Sequence, residues 1–215
     1  MSDRVGRRPI ELVCFDLGGV LVRTRGTWED AARAAGVPRP PTLADAAVRV
    51  DLADWMHRAA IGALNAEELF ARVSQRTGWT VQQVAAISAA GLDTSYAGVD
   101  DLLTELAARD VRTACLSNTY DHHWRLLTAD GRYPWMARLD FRFASHLLHC
   151  AKPDAGVYEH VEETTGVRPE RIAFFDDLPE NCAAAAARGW RVCRVDPAGD
   201  TARQLRATLG DWGIL

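Results

Sequence analysis

The sequence predicts an α/β fold: a mostly parallel sheet covered by helices on both faces, with an all-helical segment inserted after the first strand. Three observations predict it. Short apolar runs of strand length recur along the chain. Segments with helical periodicity and capping residues separate them. Between residues 23 and 95 the strand-like runs stop and only helical signals continue. Strands alternating with helices call for a sheet buried on both faces.

The first strand is IELVCF (10–15), ending on Asp16. VRTACL (111–116), RIAFF (171–175) and WRVCRV (190–195) read as further buried strands, and DFRFA (140–144) as a weaker one. Residues 99–109 place Leu102, Leu103 and Leu106 on one helix face. Residues 154–165 form a helix with Asp154 at its N-cap and Gly166 after its end. Residues 179–188 start on Pro179 and stop before Gly189. In the insert, Thr27, Asn65 and Thr80 read as N-caps. Asp30, Glu68 and Gln83 stand three residues on, and the latter two complete capping boxes. Gly36, Gly78 and Gly91 read as helix stops, and Pro38 to Pro41 separate the first helix from the rest. No strand is legible in this region. The chain therefore divides into a core, residues 1–22 and 96–215, and a helical insert, residues 23–95.

The 215 residues suffice for one large domain or for a core with a smaller module. A net charge of −4 gives no electrostatic reason to expect nucleic acid as a partner. No apolar run approaches the roughly 20 residues of a membrane span. The basic start, MSDRVGRRPI, is not followed by the apolar core of a signal peptide, so a cytoplasmic protein is expected. The five cysteines form no CxxC pair, and Cys14, Cys115 and Cys193 read as buried reduced thiols.

Polar residues stand where the apolar strands stop: Asp16 after the first, Ser117 and Asn118 after the second, Asp176 and Asp177 after RIAFF. Ligands of open parallel sheets bind outside the carboxyl ends of the strands. If these strands are neighbours, three carboxylates, a hydroxyl and an amide converge. Adjacent carboxylates repel unless a proton or cation intervenes. A hard divalent cation such as Mg²⁺ is the natural resolution. Lys152 is the chain's single lysine among many arginines, which supports a specific role for its compact charge.

FDLGGVLV, LSNT, AKPD and FFDDLPEN resemble, in order, the four motifs of the haloacid dehalogenase-like hydrolase superfamily. The resemblance spans residues 10 to about 195. Ser-Asn-Thr followed by His123-Trp124, Lys-Pro-Asp, and Asp-Asp with Asn181 beyond looks most like the bacterial sugar-phosphate and glucose-1-phosphate phosphatase branch. The resemblance implies a Rossmann-like core with a small helical cap, and a small phosphorylated molecule as substrate. It implies that Asp16 is the nucleophile and forms an aspartyl-phosphate. It implies Mg²⁺ held by Asp16, the Gly18 carbonyl and Asp177, with Asp176 and Asn181 in support. Ser117 and Asn118 would bind the phosphoryl group, and Lys152 would neutralise charge beside Asp16. Most phosphatases of this superfamily carry a second aspartate, a general acid, where this chain has Gly18. His57 and His123 are the candidates to replace it. His149, Cys150 and Ala151 also depart from the family pattern before Lys152. Trp28, Trp55 and Trp79 read as cap core, with one of them placed to line a substrate pocket. Two other readings compete: a slow or inactive phosphate-ligand-binding or regulatory protein, and a haloacid dehalogenase. A monomer or homodimer is expected.

Overall fold

The computed structural model describes residues 9–129 and 131–215. The basic stretch over residues 1–8, on which the reading of the N-terminus depends, lies outside the described residues. In chain order the elements are β1 (Leu12–Phe15), β2 (Val22–Thr24), α1 (Trp28–Ala34), α2 (Ala46–Ala60), α3 (Ala66–Thr77), α4 (Val81–Gly91), β3 (Leu92–Ser95), α5 (Val99–Ala107), β4 (Arg112–Ser117), α6 (Asp121–Thr128), β5 (Phe141–Ala144), α7 (Ser145–Leu148), α8 (Ala155–Thr165), β6 (Ile172–Asp176), α9 (Pro179–Ala187), β7 (Arg191–Arg194) and α10 (Thr201–Asp211).

Five strands form one sheet in the order β5-β4-β1-β6-β7, and every pairing is parallel. All five expected strands are present. β1 shows why its sequence is apolar throughout. Val13 and Phe15 enter one core with Phe175, Leu102 and Leu205, whereas Leu12 and Cys14 enter another with Phe174, Val157 and Tyr158. Side chains alternate across a strand, so a central strand with both faces covered needs apolar residues at every position. β5 is the weaker signal because it is an edge strand, with Arg142 exposed. Cys14 and Cys115 are buried, but Cys193 on the opposite edge strand β7 is only half-buried. An edge strand lacks the second neighbour that would cover it.

The chain leaves β1 for β4 and β5 on one side, then crosses to β6 and β7 on the other. Such a reversal opens a crevice at the carboxyl ends of the strands. Helices α1 to α4 pack around their own apolar cluster, which includes Leu52, Leu69, Val84 and Ile87. Thr27, Asn65 and Thr80 accept backbone N–H bonds at the N-caps, and both expected capping boxes close. The proline stretch runs into a short 3-10 turn (Pro41–Ala44), and Asp45 caps α2.

Two features of the insert differ from the sequence reading. β2 and β3 form an antiparallel ribbon, pairing Val22 with Ser95 and Thr24 with Leu92. VRT and LDTS are short and largely polar, and their register shifts between Val22 and Thr24, so no alternation marks them. Gly91 is not a helix stop but the last residue of α4. Leu92 is already extended and pairs across the ribbon. Both chain passages between the sheet and the helical segment are thus held side by side. A bridge from Gly18 to Val22 ties them to the end of β1.

Candidate active site

Three strand ends carry the site. Asp16 follows β1, and its N–H donates to the Phe175 carbonyl at 2.8 Å, prolonging the parallel ladder by one residue. Ser117 is the last residue of β4 and is buried. Asp176 is the last residue of β6, and Asp177 begins the loop into α9. Carboxylate oxygens of Asp16, Asp176 and Asp177 lie within 4.8 Å of one another.

Lys152 reaches this cluster from the loop between α7 and α8. Its ammonium lies 2.7 Å from Asp176 Oδ2 and 2.9 Å from Asp16 Oδ1, with its side chain 1% exposed. Burial alone would lower the lysine pKa, but Asp16 and Asp176 outweigh it and hold the ammonium above its ordinary range. Burial pushes the Asp16 carboxyl up to about 6. Lys152 opposes that rise, and repulsion from Asp176 adds to it. Burial and the Asp176 charge also raise Asp177. Three carboxylates face one ammonium, an excess of two negative charges that a divalent cation would balance.

The two neighbouring aspartates have different surroundings. Asp176 is wholly buried and saturated: it accepts from Lys152, from the Leu178 N–H at 2.9 Å, and from Asn181 Nδ2 at 3.0 and 3.1 Å. Tyr158 steadies Asn181 by donating to its carbonyl at 3.0 Å. Asp177 is half-buried and lies against Gly19. Gly19 has a φ of +72°, and a Cβ there would fall 2.6 Å from Asp177 Oδ2. Gly19 is therefore required both for the turn and for room beside the carboxylate. Gly18 faces the ribbon, where a Cβ would meet Thr24 Cγ2 at 3.3 Å.

The Asn118 side chain braces the loop that carries Lys152. Its amide donates to the Lys152 carbonyl at 2.8 Å, and its oxygen accepts from the Lys152 N–H at 2.9 Å. Ser145, which the sequence reading missed, completes the bracing. Its hydroxyl accepts from the Thr119 N–H at 2.9 Å and donates to Ala60 in the helical segment at 2.5 Å. Its signal was available: Ser145 follows β5 as Asp16 follows β1, a polar residue at a strand's carboxyl end.

The two candidate histidines have different surroundings. His57 on α2 is exposed. His123 Nε2 donates to the Ser88 carbonyl at 2.8 Å, which assigns its proton to that nitrogen, and burial pulls its pKa down to about 4. Of the three cap tryptophans, Trp79 is buried in the helical core, and Trp28 lines a cavity of about 300 Å³ together with Tyr120 and His123.

A family model for haloacid dehalogenase-like hydrolases matches residues 10–189, and the chain belongs to that family. A phosphatase of Mycobacterium tuberculosis is 30% identical over 77 residues, 36% of each chain. An enolase-phosphatase of Bradyrhizobium sp. is 47% identical over 45 residues, 21% of this chain and 20% of the relative. The matched portions thus span about a third and a fifth of these relatives. Among solved structures, a haloacid dehalogenase family enzyme of Bacteroides thetaiotaomicron superposes with a TM-score of 0.80 at 21% identity, over 93% of this chain and all of the other. Its complex with magnesium and inorganic phosphate gives 0.77 at 22% identity, over 92% and 100%. The L-2-haloacid dehalogenase of Xanthobacter autotrophicus gives 0.60 at 21%, over 96% and 84%. No helix among the described residues is long and apolar enough to cross a membrane.

Proposed function

We propose that this hydrolase is a Mg²⁺-dependent phosphatase that removes the phosphoryl group from a small phosphorylated molecule through an aspartyl-phosphate on Asp16. One observation carries the reading: a buried carboxylate, Asp16, beside a buried lysine and two further carboxylates that together leave an uncompensated charge of two. A donor set of hard carboxylate oxygens with that excess fits Mg²⁺. Asp16, Asp177 and the Gly18 carbonyl would hold the ion, while Asp176 keeps Lys152 and Asn181 in place. Bound there, the ion would neutralise charge developing on the transferred phosphoryl oxygens. The Bacteroides enzyme, of the same fold, binds magnesium and inorganic phosphate, which supports a Mg²⁺-dependent phosphatase.

The chain's own groups divide the remaining work. The Asp16 carboxylate attacks phosphorus, oriented by Lys152 and by the Leu17 N–H at 2.7 Å. Ser117 and the main-chain N–H of Asn118, at the approach to α6, hold phosphoryl oxygens. Lys152 keeps its proton throughout and balances charge. No aspartate stands at position 18, and His123 is committed to the Ser88 carbonyl.

Phosphate release from a substrate panel tests the proposal, run with Mg²⁺, with EDTA and with Asp16→Asn. Release that requires Mg²⁺ and disappears in the variant is expected. Release that survives Asp16→Asn would remove Asp16 as nucleophile. Mg²⁺ binding without any turnover would move the phosphate-binding reading ahead. Halide release from a 2-haloacid without metal would favour the dehalogenase reading.

A further inference from the structure

The ladder between β4 and β5 ends where Ser117 pairs with Ala144. A side chain takes over from there. Ser145 is wholly buried, and its hydroxyl accepts the Thr119 N–H at 2.9 Å, two residues beyond Ser117. The same hydroxyl has one proton to give. Two carbonyls lie within its reach, Ala60 at 2.5 Å and Thr119 at 3.1 Å. The first belongs to the last residue of α2, the second to the loop itself. Only one of them receives the proton at a time.

The end of α2 is seated on α7 at two further points. His149 Nδ1 donates to the Ile61 carbonyl at 3.2 Å. Gly62 has a φ of +73°, and a Cβ there would press on the His146 carbonyl. Residues 60–62 therefore form a corner fitted against residues 145–149, the stretch that runs on to Lys152. If the corner lifts, the Ser145 proton turns to the Thr119 carbonyl, which His146 Nδ1 already reaches at 3.2 Å. The Ala60 carbonyl turns to water. Neither arrangement strands a buried polar group of this set. They differ in the pull on Thr119. With the corner seated, Ser145 holds only its N–H; with the corner lifted, Ser145 draws its carbonyl as well.

We propose that Ser145 is a positioning residue of the phosphoryl site, coupling the loop that starts at Ser117 to the seating of the α2 corner, and that the seated arrangement is the one that binds phosphate. The inference rests on the phosphatase reading above, which gives phosphoryl oxygens to Ser117 and Asn118. Coupling is reciprocal, so phosphate bound at the loop favours the seated corner in turn.

The test is a calorimetric titration of inorganic phosphate into the Mg²⁺-loaded protein, with Mg²⁺ titrated alone beside it. It compares the parent with Ser145→Ala, Gly62→Ala and Gly78→Ala. Ser145→Ala removes the acceptor of the buried Thr119 N–H and is expected to weaken phosphate binding about tenfold, with Mg²⁺ affinity retained. Gly62→Ala lifts the corner and leaves Ser145 in place. It is expected to weaken phosphate about fivefold, the lower range of coupling between sites. Gly78→Ala puts a Cβ on an equally left-handed residue, φ +85°, with nothing within 4 Å, and should bind phosphate as the parent does. Phosphate affinity unchanged in Gly62→Ala, or weakened equally in Gly78→Ala, would overturn the inference even if Ser145→Ala failed to fold. Joint loss of Mg²⁺ and phosphate affinity in a folded Ser145→Ala would also overturn it, since the residue would then support the whole site. A parent that binds Mg²⁺ but no phosphate would overturn the phosphatase reading and the inference with it.

Discussion

Asn118 and Lys152 are locked together through a two-bond ring, amide to carbonyl at 2.8 Å and N–H to amide oxygen at 2.9 Å. A side chain thus imitates a backbone pairing between the loop after β4 and the loop that carries Lys152. The ring fixes where the Lys152 stem begins, and the two carboxylates fix where it ends. Asn118→Asp replaces the donated N–H with an anion facing a carbonyl. It is expected to lower kcat by about tenfold or more with a smaller effect on Mg²⁺ affinity. Steady-state kinetics beside a Mg²⁺ titration would show it, and an unchanged kcat would mean the ring does not position the lysine.

Lys152→Met leaves Asp16 and Asp176 buried together without their cation. Removing one partner from a buried pair costs roughly 3–5 kcal/mol. A large fall in Tm is expected, partly restored by Mg²⁺ because the ion replaces some of the missing positive charge. Thermal unfolding with Mg²⁺ and with EDTA measures both effects. A variant as stable as the parent would show that the lysine does not hold the carboxylates.

Gly19→Ala tests the space beside Asp177. The left-handed backbone alone costs about 1–2 kcal/mol for a residue with a Cβ, and the Cβ would also press on the Asp177 carboxylate. Gly78→Ala is the control, with a φ of +85° and nothing within 4 Å of the added carbon. Both variants should lose stability, but only Gly19→Ala should lose Mg²⁺ affinity. Equal affinities by calorimetry would exclude Asp177 as a ligand.

Mg²⁺ affinity should weaken as pH falls through about 6. Burial raises the metal-free Asp16 carboxyl to that value, and a proton competes with the cation for the same oxygens. Titrations at pH 5, 6 and 7 would reveal a rising affinity, with proton release on binding near pH 6. A flat profile would mean that Asp16 is not a ligand.

His123 makes acid sensitivity a property of the join between α6 and α4, since it bonds to the Ser88 carbonyl. Its folded pKa, about 4, lies below the ordinary histidine value of about 6.5. The unfolded chain therefore binds the proton first. The stability it provides is complete above pH ~6.5 and falls as pH drops toward 4, by up to roughly 3 kcal/mol. Metal-free Asp16 acts in the opposite sense, because its raised pKa makes protonation favour the folded state between about 6 and its unfolded value. The two separate in a comparison of the parent with His123→Gln: denaturant unfolding between pH 7.5 and 4.5 should be less acid-sensitive in the variant. Parallel profiles would remove His123 from the effect.

The sequence by itself determined what is encoded over a few residues. Apolar runs made all five sheet strands legible, and N-caps and boxes marked Asn65 and Thr80. The polar residues at strand ends, Asp16, Ser117, Asp176 and Asp177, could be read because a parallel sheet brings its carboxyl ends to one edge whatever the connections contain. Only the tertiary structure decided which of two adjacent aspartates is buried on Lys152 and which lies open beside Gly19. It also set the Asn118 side chain against the Lys152 backbone, paired two polar segments as the β2–β3 ribbon, and placed Ser145 against Ala60, 85 residues away. These outcomes depend on partners far apart in the chain, whose meeting is set by packing of the whole molecule. Caps and periodicities are complete within a turn or a strand, and for that reason they can be read in advance.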